Sequence, residues 1–144
     1  MSETVKVKNE YFEQLNIASN ARVFGNILEK PFPAKVGYWI SRIADKIQSR
    51  SKAYFSEKQK LIRRFAVLDD RDNPKALSNG LIEWDKGKDG EANFIKEQRD
   101  LLEIEVDLGI KPIEIDLDEL DARGIIISPA EWMLMPFMKV KDPG

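Results

Sequence analysis

The feature that most constrains this chain is residues 34–68, a stretch without proline whose only glycine, Gly37, lies near its start. At 100° of rotation per residue, Val36, Ile40, Ile43, Ile47, Tyr54, Leu61 and Phe65 fall within an arc of about 60°. Seven of the eight Lys and Arg between positions 42 and 64 occupy another sector, about 160° wide and centred ~120° from the apolar stripe. They are Arg42, Lys46, Arg50, Lys52, Lys60, Arg63 and Arg64. The pattern predicts one long amphipathic helix over 34–68 with a basic flank. Its length of about 52 Å exceeds the ~37 Å diameter of a compact chain of this size. The helix is therefore expected to kink near Ser49-Arg50-Ser51, where the stripe thins, or to meet something else at its far end. Ile40, Ile47, Tyr54, Leu61 and Leu68 also recur at heptad spacing, but the companion positions include Arg50, Glu57 and Arg64. Half a seam favours an intramolecular pair or a partly polar protein interface over a long dimeric coiled coil.

The flanking segments complete a helix-dominant α+β reading. Residues 4–8 alternate polar and apolar, as a half-buried strand does. Asn9 offers an N-cap for a helix through Phe12 and Leu15, and a helical piece over 22–29 is stopped by Pro31-Phe32-Pro33. A polar connection over 69–89 follows, tacked down by Leu77, Leu81, Ile82 and Trp84. Asp89 then caps a second helix through Phe94, Ile95 and Leu101, which pairs with the long one. Strict alternation on either side of Gly109-Ile110-Lys111-Pro112 predicts a β-hairpin over 102–117, one face apolar and one acidic, as the nucleus of a small antiparallel sheet. Asp116 and Glu119 have capping-box spacing, and Gly124 is placed to end the short helix they start. Ile125-Ile126-Ile127 reads as a buried strand. Ser128-Pro129-Ala130-Glu131 is a second capping box, opening an apolar C-terminal helix over 129–138 that meets Pro136. The expected organisation is a single domain over 1–144 without internal repeats.

The composition removes whole chemistries. The chain has no Cys and no His, so thiolate nucleophiles, disulfides, thiolate zinc sites, histidine bases and histidine-ligated metals are excluded. Carboxylate, lysine or tyrosine chemistry survives, as do carboxylate-held Mg or Ca. No apolar run approaches the ~20 residues needed to span a bilayer, and residues 1–8 lack the apolar core of a signal peptide; a cytoplasmic protein is expected.

Charge is segregated along the chain. The net charge is only −2, yet residues 42–64 hold eight basic and two acidic residues, and residues 83–121 hold fourteen acidic and five basic. The basic flank could track phosphates, but there is no helix-turn-helix pairing, phosphate loop or aromatic–basic interleaving to support it. Glu103, Glu105, Asp107, Glu114 and Asp116 form an acidic ribbon whose mutual repulsion needs an offset: the basic helix, a basic partner or bound cations. Their spacing is poor for a metal site and singles out no catalytic pair.

Every Met other than Met1 lies within residues 132–138, Trp132-Met133-Leu134-Met135-Pro136-Phe137-Met138. Met suits adaptable docking surfaces, and the alternative is that this tail closes the core. The order of parts is a basic amphipathic helix, then a charged linker from Asp69-Asp70-Arg71-Asp72-Asn73-Pro74 to Asp89-Gly90. Phe94-Ile95-Lys96-Glu97, an acidic strand pair and Ile127-Ser128-Pro129-Ala130-Glu131 complete it. This order resembles small proteins of unknown function encoded by tailed bacteriophages, over roughly residues 36–135. The resemblance implies a role in assembly or in binding a host protein, and carries no catalytic residues.

The expectation is thus a non-enzymatic protein–protein interaction protein, without cofactor, catalytic residue or metal. Arg50, Arg63 and Arg64 on the helix, and Trp132, Met135 and Phe137 on the tail, are the expected partner-binding residues. The alternatives are a nucleic-acid-associated regulator using the basic face of 34–68, and a carboxylate–metal enzyme.

Overall fold

A computed structural model describes residues 3–141. The chain is helix-dominant α+β. In order it forms β1 (Lys6–Lys8), α1 (Asn9–Asn16), α2 (Ala18–Glu29) and α3 (Ala34–Phe65). After an irregular segment come α4 (Gly90–Leu102), β2 (Glu105–Asp107), β3 (Ile113–Ile115), α5 (Leu117–Ala122), α6 (Pro129–Met133) and β4 (Met138–Val140). No helix among the described residues is long and apolar enough to cross a membrane. The residues gather into two compact units, one comprising the chain up to Arg50 and from Glu105 onward, the other Ser51–Ile104. The division falls at Ser49-Arg50-Ser51, where the apolar stripe of α3 thins, and each half of α3 serves its own unit.

In the first unit, Ile40, Ile43 and Ile47 of α3 are buried together with Phe12 of α1, Ile27 of α2 and the strand residues Val7, Ile113 and Ile115. β1 pairs antiparallel with β2, and β3 pairs parallel with β4. The expected hairpin over 102–117 does not form, because β2 and β3 do not pair with each other. The physical reason is charge. Pairing these two strands would bring the carboxylates of Glu105 and Asp107 onto one ribbon with Glu114 and Asp116, and like charges across a ladder are destabilising. The observed registers place Lys6 opposite Asp107, Lys8 opposite Glu105 and Lys139 opposite Glu114. The path between the strands agrees with this. The Asp107 carboxylate accepts the Gly109 N–H at 2.8 Å, and Gly109 adopts φ 70°. The Ile110 carbonyl accepts the Val5 N–H at 2.8 Å, which keeps 105–110 beside the N-terminal strand.

Three other expectations give way in this unit. Asn9 is the first helical residue of α1 and is buried, with Lys8 at the cap position. Ile125-Ile126-Ile127 is not a strand; Ile125 is buried while Ile126 is 81% exposed. The apolar helix expected over 129–138 ends at Met133, because Pro136 cannot donate to a helix and the following residues leave as β4. The Ser128–Glu131 capping box forms, while at Asp116 the side-chain cap forms alone. Asp116 accepts from the backbone N–H groups of Asp118 and Glu119, and Ser128 and Glu131 cap each other reciprocally.

In the second unit, α3 ends at Phe65 rather than at 68, because residues 66–68 enter backbone pairing. The segment read as a polar connection over 69–89 is a small knot of backbone hydrogen bonds. Val67 donates to Glu83, Glu83 to Lys75 and Lys75 to Val67, a closed triangle at eight-residue spacing. Asp69, Asn79 and Asp85 each accept a backbone N–H two residues on, the Asx-turn pattern. Leu61 and Ile62 of α3, and Ala66 just beyond it, pack with Phe94 of α4, so the two helices share one core. Trp84 stacks on Phe94 with ring centroids 4.7 Å apart. Leu77 and Leu81, expected to tack the connection down, are exposed. Asp89 precedes α4 in a left-handed conformation, φ 48°, and its side chain makes no cap bond.

Candidate functional site

The acidic ribbon is matched within the chain. Besides the cross-strand lysines, the Arg50 side chain lies 3.5 Å from the Asp107 carbonyl. The Asp107 carboxyl titrates below its ordinary range, first through a hydrogen bond from the Thr4 side chain, then from the Gly109 N–H, with smaller help from Lys6 and Arg50. Arg50 is thereby half-buried and engaged in the fold. No group of acidic residues with metal-holding geometry occurs among the described residues.

The tail residues separate. Met135 is 2% exposed and Phe137 is fully buried, so neither can meet a partner while the protein is folded; both belong to the core. The Tyr11 hydroxyl, its pKa raised by burial, donates to the Leu134 carbonyl at 2.7 Å and holds this turn against α1. Trp132 is half-buried, and Met133 is 82% exposed. Arg63 and Arg64 are exposed in the second unit, on the last turn of α3, where positive charge complements the helix dipole. The Arg64 guanidinium also sits 5.9 Å from the Phe65 ring centre.

Trp132 lines an open groove of about 360 Å³ in the first unit. Leu117, Leu120 and the Ile125-Ile126-Ile127 segment supply aliphatic walls, and Asp118 and Asp121 of α5 supply carboxylates. Leu117 and Ile126 are exposed, leaving apolar surface in water beside the acidic rim. One wall is fixed from behind. Lys30 Nζ pairs with Glu131 Oε2 at 3.0 Å and donates to the Ile126 carbonyl at 2.9 Å, while Glu131 Oε1 accepts the Ser128 N–H at 2.8 Å. Burial raises the Glu131 pKa, but the Ser128 N–H and the Lys30 ammonium outweigh it and hold the carboxyl below its ordinary value of 4.5.

Sequence reasoning reached Trp132 but not the groove. Ile126 reads as core in a run of three isoleucines, although an extended segment turns alternate residues outward. Nor does the stripe-and-flank pattern of α3 single out Tyr38 and Trp39. Both are exposed, with rings stacked at 5.3 Å. The rotation that defines the apolar stripe already places Tyr38 on the far side of the helix. The chain matches no family model, no curated protein and no solved structure. The fold and this groove therefore define it as a helix-dominant α+β chain with a candidate binding groove.

Proposed function

We propose that this protein is a non-enzymatic binding protein whose groove along α5 receives a partner segment. The observation that carries the reading is the combination of exposed Leu117 and Ile126 with half-buried Trp132 beside the carboxylates of Asp118 and Asp121. Aromatic anchors surrounded by aliphatic contacts supply most binding energy at protein interfaces. The acidic rim selects the partner's charge, because complementary potentials steer encounter and disfavour wrong partners. The occupant is accordingly an amphipathic peptide segment with apolar side chains and flanking Lys or Arg. On the resemblance to phage proteins, the first candidates are a host protein or another phage protein carrying such a segment.

The test is a fluorescence-anisotropy titration with a synthetic amphipathic Leu/Lys peptide and its Leu/Glu counterpart. The Leu/Lys peptide is expected to bind wild type, and Ile126→Glu and the pair Asp118→Lys, Asp121→Lys are expected to weaken it at least tenfold. Equal binding of both peptides, or full binding to Ile126→Glu, would overturn the reading. Absolute mass by light scattering tests the competing occupant: a dimer dissolved by Ile126→Glu would make the occupant a second copy of this chain.

A further inference from the structure

The first half of α3 carries a second surface, separate from the groove. Its inward side is fixed by the buried Ile40, Ile43 and Ile47. Lys35, Tyr38, Trp39, Arg42 and Lys46 fall within an arc of about 100°, centred about 120° from those isoleucines. Tyr38 is 52% and Trp39 42% exposed, and their rings stack on each other at an interplanar angle of 27°. Lys35 lies one turn before the rings, Arg42 one turn after and Lys46 one turn further, a span of about 16 Å. None of the three cations forms an ion pair among the described residues. Asp45, at the Tyr38 edge of this face, is the one acid between positions 34 and 50.

We propose that this face binds single-stranded nucleic acid, with bases stacking on the Tyr38–Trp39 pair and phosphates lying on Lys35, Arg42 and Lys46. Two half-exposed aromatic rings framed by free cations present what an unpaired strand offers in return: a π-face on each base and a charge on each linkage. A duplex fits less well, because its base faces are hidden and the rings would have nothing to stack on. An anionic membrane fits less well too. A helix lying in a bilayer surface buries its apolar face in the lipid, and the apolar face of α3 is already buried in protein.

The experiment is a titration of fluorescein-labelled dT15 with the full chain at 20 and 200 mM salt. Three phosphate contacts on a single strand give a logarithmic salt slope of about −2, so affinity should fall roughly 100-fold across that range. Trp39→Ala should weaken binding by roughly 5- to 150-fold at an unchanged salt slope. Arg42→Ala should weaken it and flatten the slope. Both positions are exposed, and circular dichroism checks that the variants keep their helix. Ile126→Glu, in the groove, should leave dT15 binding unchanged, which keeps the two sites distinguishable. The proposal is overturned if dT15 fails to bind at 20 mM salt, or if Trp39→Ala binds as well as wild type. Duplex DNA binding as tightly as dT15 also overturns it, as does sedimentation with phosphatidylserine vesicles without dT15 binding.

Discussion

Removing the Glu131 carboxylate should loosen the groove wall without touching the groove. Glu131 is buried, and its two oxygens serve different partners: Oε1 the Ser128 N–H, Oε2 the Lys30 ammonium. Breaking a buried pair by deleting one partner costs about 3–5 kcal/mol. Lys30 keeps its bond to the Ile126 carbonyl and retains some solvent access, its side chain being 21% exposed, which places the pair at or below the low end of that range. Losing a cap costs about 0.5–2 kcal/mol, and the two losses overlap because one side chain makes both. Glu131→Ala should therefore cost about 2–4 kcal/mol. Glu131→Gln keeps an acceptor for Ser128 but loses the charge, and should cost about 1.5–3 kcal/mol. Urea denaturation in a Trp84→Phe background, read by the fluorescence of Trp39 and Trp132, reports on the first unit. The charge component carries a pH signature. Glu131 titrates below 4.5 in the native state, so its contribution is complete above that value and is lost as pH falls through the lower native value. The gap between wild type and Glu131→Gln should close as pH is lowered through that window. A gap that stays constant from pH 7 to pH 2.5, or a Glu131→Ala variant within ~0.5 kcal/mol of wild type, would refute the reasoning.

Three substitutions and one truncation have further expected outcomes. Phe137→Ala, at a fully buried site, should cost about 3–5 kcal/mol by urea denaturation, and truncation before Trp132 should abolish cooperative unfolding of the first unit rather than leave a folded core. Gly90→Ala places a Cβ against the Phe65 carbonyl and the Asp85 backbone, so the second unit should lose protection in hydrogen exchange while the amides of β1 and β2 keep theirs. Lys8→Glu sets a like charge opposite Glu105 and should destabilise by about 0.5–1 kcal/mol, an effect that shrinks when salt is raised to 1 M.

What could be read from the sequence was what local periodicity or local chemistry determines. The amphipathic stripe of α3, the Asp116 and Ser128 caps and the Phe94 helix each depend on residues within a few turns. Strand pairing was not legible from alternation, because alternation assigns faces and not neighbours. Residues 102–108 and 113–117 alternate well enough for a hairpin, yet each found a more distant partner bearing lysine. The knot over 66–85 escaped for a similar reason: its three backbone bonds join positions eight or sixteen residues apart that share no side-chain signature. At the tail, composition spoke for a surface, whereas position decided. Pro136 ends α6 and sends Phe137 inward and Met138 into β4, and of the three methionines of the tail Met133 alone is exposed.

Registering the strands also changes what the charge segregation means. Counted along the chain, residues 83–121 look like an acidic surface seeking a basic partner. Counted across the ladders, Glu105, Asp107 and Glu114 each face a lysine, Glu131 holds Lys30, and Glu119 lies 3.9 Å from Arg123. Asp116 spends its oxygen on a helix cap. The Asp118 and Asp121 carboxylates of the groove rim, and the Lys35, Arg42 and Lys46 cations of the α3 face, are among the first-unit charges with no ion pair among the described residues. Each set adjoins exposed apolar or aromatic side chains, Leu117 and Ile126 in one case, Tyr38 and Trp39 in the other. Desolvating a charge beside such surface is costly unless an opposite charge arrives with the apolar contact. The two surfaces therefore call for partners of opposite sign, and one ligand should not compete for both.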